Sequence, residues 1–176
     1  MKPRILILCL LTLFSTASPA QARTYLVELV VFARHAGFGA EHSQARPGEP
    51  FTSNAVTIGP VGAGRFSQLS GSRLEMNHIA ATLGRQGYRV VKHVGWVQPG
   101  LSRDQAVAVR ISGDGLDGSV TVSLGHYLHM DVDLLYRRGE GDSMVTLKQS
   151  RKMRSRDIHY LDGPVLGVIA LITPAG

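Results

Sequence analysis

Residues 23–176 of this chain contain no cysteine; the single one, Cys9, lies in an apolar leader. That excludes a disulfide framework, a thiol nucleophile and a cysteine metal site in the body of the protein. Aromatic residues make up only 6% of the sequence, which is sparse for a surface that stacks nucleobases. Runs of membrane-spanning length are also missing. Residues 5–14 form an apolar core too short to cross a bilayer, and residues 165–172 read as a buried strand. There is no Gly-x-Ser-x-Gly elbow and no His-Glu-x-x-His pair, so two common hydrolase constellations are absent. No internal repeat or low-complexity segment is visible.

What is present begins with a tripartite leader. Lys2 and Arg4 precede the apolar core, and residues 15–22 end in Ala20-Gln21-Ala22, a small-x-small cleavage pattern. This predicts a secretory signal over residues 1–22, cleaved after Ala22, with Arg23 as the new N-terminus. Cys9 comes too early, without the small residues that precede a lipid-modified cysteine. The expected location is therefore the periplasm. Residues 23–176 are enough for one domain with one core and no membrane span.

The full sequence has 19 basic and 13 acidic residues. The leader carries Lys2 and Arg4 and no acid, so 17 against 13 remain, a net charge of +4. The excess is concentrated between Arg137 and Arg156. A local positive patch suits polyanionic partners, such as cell wall, lipid headgroups or nucleic acid. Export and the low aromatic content count against nucleic acid.

Residues 25–34 are apolar on both alternating faces, the pattern of a strand inside a sheet. Glu28 interrupts one face, and a lone buried acid needs a partner; an arginine is the expected one. Residues 35–69 are rich in Gly, Pro, Ala and Ser and read as a loop-rich excursion, with a short strand at 55–58. Ser72-x-x-Glu75 fits a capping box, and Met76, Ile79 and Leu83 form one stripe, so the spacing predicts a helix over 72–83 stopped by Gly84. Strands are expected over 88–98 and 105–112, then a turn at 113–118. Residues 119–137 alternate so regularly that one face is buried and the other wet, with a bend at Gly125. A Gly-rich turn at 138–143 makes 144–154 its hairpin partner. The fold class read from this order is α+β: a twisted antiparallel β-sheet with one main helix packed on one face.

The chemistry gathers at the end of the chain. Lys148, Arg151, Lys152, Arg154 and Arg156 fall within nine residues, followed by Asp157, His159, Tyr160 and Asp162. Arginine forks match carboxylates through two parallel N–H···O bonds, and His and Tyr hydrogen-bond along a glycan. The candidate ligand residues are Arg151, Lys152, Arg154, Arg156, His159, Tyr160 and Asp162, with Tyr127 and His129 on the long strand. In an unbroken strand, alternation puts Arg151, Met153 and His159 on one side and Lys152, Arg154 and Arg156 on the other. One set can brace the fold through Glu28 or Asp131 while the other faces ligand. A structural ion-pair network and a binding ribbon stay open at this point. His126 and His129 point to opposite faces and share no ion, while His129, Asp131 and Asp133 share a face that is more simply solvated. His159 with Asp162 is the pair to test for hydrolysis. No catalytic residue, metal site or cofactor is assigned.

These residues also carry a resemblance. Arg151-Lys152-Met153-Arg154-Ser155-x-Asp157-Ile158-His159-Tyr160-x-Asp162-x-Pro164, then Gly167 and Ile172-Thr173-Pro174, resembles the closing signature of the CsiV family of periplasmic peptidoglycan-binding proteins. Stretches starting at Tyr25, Tyr88 and Gly125 agree with it. Lys152, Asp157 and Gly163 stand where the family pattern has Arg, Glu and His, and His126 where an Arg is usual. The resemblance implies a non-catalytic protein whose partner is peptidoglycan. It also implies support of cell-wall synthesis, by helping activate a peptidoglycan synthase together with its outer-membrane lipoprotein activator. The alternatives are a periplasmic cell-wall hydrolase and an envelope interaction protein that binds another anionic partner.

Overall fold

The computed structural model describes residues 23–34, 54–137 and 144–175. The predicted signal segment and the turn at 138–143 lie outside the described residues, as does the first part of the loop-rich excursion. Nine strands and one α-helix follow in the order β1 (Thr24–Ala33), β2 (Ser67–Gln68), α1 (Asn77–Arg85), β3 (Arg89–Pro99), β4 (Ala108–Gly113), β5 (Leu116–Leu124), β6 (Leu128–Arg137), β7 (Met144–Met153), β8 (Ile158–Asp162) and β9 (Leu166–Pro174).

The expected single sheet is two. One has the order β2-β3-β1-β9-β8 and the other is the meander β4-β5-β6-β7. All named strand pairs are antiparallel. The reason for two lies in β1. It is apolar on both sides because it is covered on both sides. Val27, Leu29 and Val31 face the second sheet, in a core with Val120, Met130, Leu134 and Ile172. Val30 and Phe32 face the helix, with Met76, Leu83 and Leu171. The layers are helix, five-stranded sheet, four-stranded sheet. The polar face of the alternating strands is the outer surface of the second sheet.

The segment expected as one long strand is a hairpin. β5 and β6 pair from Leu116↔Tyr136 to Leu124↔Leu128, so Gly125, His126 and Tyr127 form a three-residue loop, the second commonest kind of hairpin connection. At the other end of β5, Asp114 (φ 52°) and Gly115 (φ 80°) connect β4 to β5. Positive φ at both central residues is the geometry that two-residue hairpins favour, because its twist matches the strands. The short strand expected at 55–58 is a single parallel bridge, Val56 to Val109.

The helix differs from expectation at its start. It begins at Asn77, after a 3₁₀ turn at Gly71–Arg73, and Met76 at its N-cap contributes no side-chain cap. The cap comes from another layer. Glu28 Oε1 accepts the Met76 N–H at 2.8 Å and its Oε2 accepts the Glu75 N–H at 2.8 Å. A carboxylate on the first free N–H groups of a helix meets both their hydrogen-bonding need and the positive end of the dipole. The same Oε1 lies 2.7 Å from His93 Nε2. Glu28 therefore has partners, as a buried acid must, but they are a histidine and a helix terminus, not an arginine.

Candidate functional site

The structure separates the predicted ligand residues into distinct places. The first is an end of the sandwich. The β5–β6 loop brings His126 and Tyr127 beside Arg154 and Ser155, which follow β7. Together with Tyr25, Leu124, Leu128 and Met153 they line a cleft of about 260 Å³. Tyr127 is 48% exposed. The Lys152 ammonium sits over its ring, 3.1 Å from the centroid. A cation over an aromatic face is held by the ring quadrupole and stays reachable by ligand from the sides.

The second place is the exposed turn from Met153 to Ile158. Arg154 and Arg156 are both exposed there, and Arg151 is exposed on β7 just before it. Among the described residues, the side chains of Arg151, Arg154 and Arg156 make no ion pair and no hydrogen bond. Neither Glu28 nor Asp131 braces them. Register puts Lys152 opposite His129 and Arg151 opposite Met130. Arg151 and Met153 thus share the inward side of β7, as alternation predicts, but Arg151 stays exposed because β7 is an edge strand.

His159 serves the turn. Its Nε2 accepts the Arg154 backbone N–H at 3.0 Å, which places the ring proton on Nδ1. Asp162 lies three residues further along β8, so it projects to the opposite face of the strand. The two do not form the base–acid pair that hydrolysis would need.

The third place is a polar network on the far end of β8. Tyr160 donates from its hydroxyl to Asp162 Oδ1 at 2.6 Å. Arg34 Nη2 donates to the Tyr160 oxygen and, at 2.6 Å, to Asp162 Oδ1. Arg34 Nη1 donates to the Gly163 carbonyl at 2.6 Å. The Tyr160 ring stacks on Phe32, with centroids 6.1 Å apart and planes 13° from parallel. Burial, and then the hydrogen bond to Asp162, push the Tyr160 phenol up to about 12. The Tyr160 hydroxyl first, and Arg34 after it, hold the Asp162 carboxyl below its usual range. The hydrogen bond to Asp162 raises Arg34 in turn. Here the ion-pair reading applies: Tyr160 and Asp162 tie β8 to the end of β1.

Arg34 was not among the predicted site residues. Its signal was present, as an arginine closing an apolar strand opposite a Tyr-x-Asp whose side chains share a face. Among the described residues no group of three His, Asp or Glu side chains could hold a metal ion. Asp133 is instead 2.9 Å from Lys148 Nζ. No helix among the described residues is long and apolar enough to cross a membrane.

A family model described as "Peptidoglycan-binding protein, CsiV" matches residues 5–175. That is nearly the whole sequence, and the chain belongs to this family. No curated protein and no solved structure matches it.

Proposed function

We propose that this CsiV-family protein binds peptidoglycan without cleaving it, and that the polymer lies along the basic turn after β7 and the cleft beside Tyr127. One observation carries this reading. Three exposed guanidinium groups, on Arg151, Arg154 and Arg156, stand close in sequence, and among the described residues no anion answers them. Like charges held together repel, and exposed cations add little to stability, commonly within about 0.5 kcal/mol each. Such a cluster suits an external polyanion. Stem-peptide carboxylates fit the guanidinium forks. The exposed Tyr127 ring offers an apolar face and a hydroxyl to a sugar.

In this reading the protein acts in the periplasm after removal of its leader, and supports a peptidoglycan synthase alongside that enzyme's outer-membrane lipoprotein activator. The family resemblance is the support for that wider role. Tyr160, Asp162 and His159 act as positioning residues for the ribbon.

The test is pelleting of the purified mature chain with isolated sacculi over a salt series. Binding that weakens as salt rises is expected, since exposed charges are screened. Arg151→Glu with Arg154→Glu should weaken pelleting and leave the melting temperature nearly unchanged. Loss of folding instead would make the ribbon structural. Release of soluble muropeptides would turn the reading to a hydrolase.

A further inference from the structure

The helix end nearest β8 borders a second cleft, about 310 Å³, lined by Glu75, Met76, His78, Arg156, Ile158, Leu171 and Thr173. This volume is at the low end of the range for small-molecule sites, roughly 300–1,000 Å³. Its floor is apolar: Met76 and Leu171 are buried, and Ile158 is a large hydrophobic residue left 55% exposed. Its rim carries opposite charges. Arg156 and Glu75 line one cleft, yet their side chains form no ion pair with each other or with any described residue.

Arg156 also stands in the left-handed region, at φ 68°, where a residue with a Cβ is uncommon and glycine fits without cost. Its N–H donates to the Ile172 carbonyl at 2.8 Å, which fixes the turn. The backbone there does not favour arginine. The Glu75 backbone N–H is taken by Glu28, but its side chain is exposed and unbonded.

We infer that this cleft receives a zwitterionic amino-acid centre: Arg156 takes the carboxylate, Glu75 the ammonium, and Ile158 and Leu171 the aliphatic chain. The inference rests on the peptidoglycan reading and deepens it. The polymer part with this chemistry is the free end of a diamino-acid stem peptide. Glycan has neither an ammonium nor a carboxylate paired on one carbon. The cleft therefore assigns recognition of the peptide to Arg156 and Glu75, apart from the Tyr127 cleft at the end of the sandwich.

The experiment is an NMR titration of the mature chain with the tripeptide L-alanyl-γ-D-glutamyl-meso-diaminopimelate, following the amides of Arg156, Ile158 and Leu171. A saturable shift confined to this cleft is expected. Acetylation of the diaminopimelate ammonium, with the alanine ammonium left free, should weaken binding at least tenfold. Arg156→Gly should do the same while the melting temperature holds or rises, since glycine relieves the left-handed backbone. Glu75→Gln should weaken binding of the tripeptide and not of its acetylated form. Sacculus pelleting without any tripeptide shift would overturn this inference and leave the peptidoglycan reading standing. Unchanged binding by Arg156→Gly would also overturn it. Failure of the wild type both to pellet and to shift would overturn both.

Discussion

Glu28 and Met76 are joined across two layers of the fold: a carboxylate on the central strand accepts the N–H of the residue at the start of the helix, at 2.8 Å. Glu28 is 4% exposed. Its second oxygen holds the Glu75 N–H and its first also meets His93. Removing the carboxylate leaves the N–H groups of Glu75 and Met76, and a histidine, without their acceptor. Glu28→Ala is expected to cost about 2–3 kcal/mol, the sum of a lost cap and stranded buried donors. Glu28→Gln keeps one acceptor oxygen and should cost about half as much. Urea denaturation checks both. An Ala variant as stable as wild type would show that the helix does not depend on this cap.

The Tyr160 network predicts a pH window. The phenol is raised from its ordinary 10.0 to about 12. A group whose folded pKa is raised contributes stability that is fully present below its unfolded value and lost as pH rises through the folded one. The network should therefore weaken between about 10 and 12 on this account. Asp162 is lowered, so its contribution is present at neutral pH and lost as pH falls through that lowered value. At 52% side-chain exposure for Asp162, the acid effect is small. Ultraviolet titration of wild type against Tyr160→Phe should show one tyrosine ionising late. Loss of an ordinary, early-ionising tyrosine in that variant would contradict the assignment.

How much of this was legible depends on the range of the interaction. The β5–β6 alternation and the buried run of β9 are local patterns, and period alone shows them. The partner of β1 is not local: it lies between β3 and β9, so first and last strands meet. Its apolar faces said it was inside a sheet, but not that a second sheet lay on one side. The capping-box pattern at Ser72 and Glu75 misplaced the helix start because the cap came from Glu28, 48 residues before Met76. In the tail, spacing could not tell bracing residues from free ones. Tyr160 and Asp162 find Arg34 well over a hundred residues away, while Arg151, Arg154 and Arg156 find no partner among the described residues. That division depends on three-dimensional neighbours that one sequence does not display.

Lys152 and Tyr127 are predicted to act as a unit. The ammonium sits 3.1 Å from the ring centroid, at an exposed site where such contacts contribute about 0.5–1 kcal/mol. Lys152→Gln and Tyr127→Leu, alone and together, give a double-mutant cycle. Coupling of about that size is expected in stability. In sacculus pelleting, each single variant should cost most of what the double variant costs, because either change dismantles the same exposed platform. Additive losses in pelleting would mean that the two contact ligand independently.

Gly167 gives the most direct check that the Tyr160 network is structural. A Cβ built at Gly167 would lie 2.6 Å from the Phe32 ring, so the ring occupies space that only glycine leaves open. Phe32 in turn stacks on Tyr160. Gly167→Ala must displace the ring, and overpacking of this kind typically costs about 1–3 kcal/mol. The displaced ring takes with it the surface that orients the Tyr160 hydroxyl toward Asp162. The expected result is a lower melting temperature, a changed near-ultraviolet circular dichroism signal, and an earlier Tyr160 ionisation. Sacculus pelleting below the new melting temperature should be retained, because Lys152 and Arg154 lie at the opposite end of β8 from this ring. A large loss of pelleting with the fold intact would instead make the Phe32–Tyr160 stack part of the binding surface.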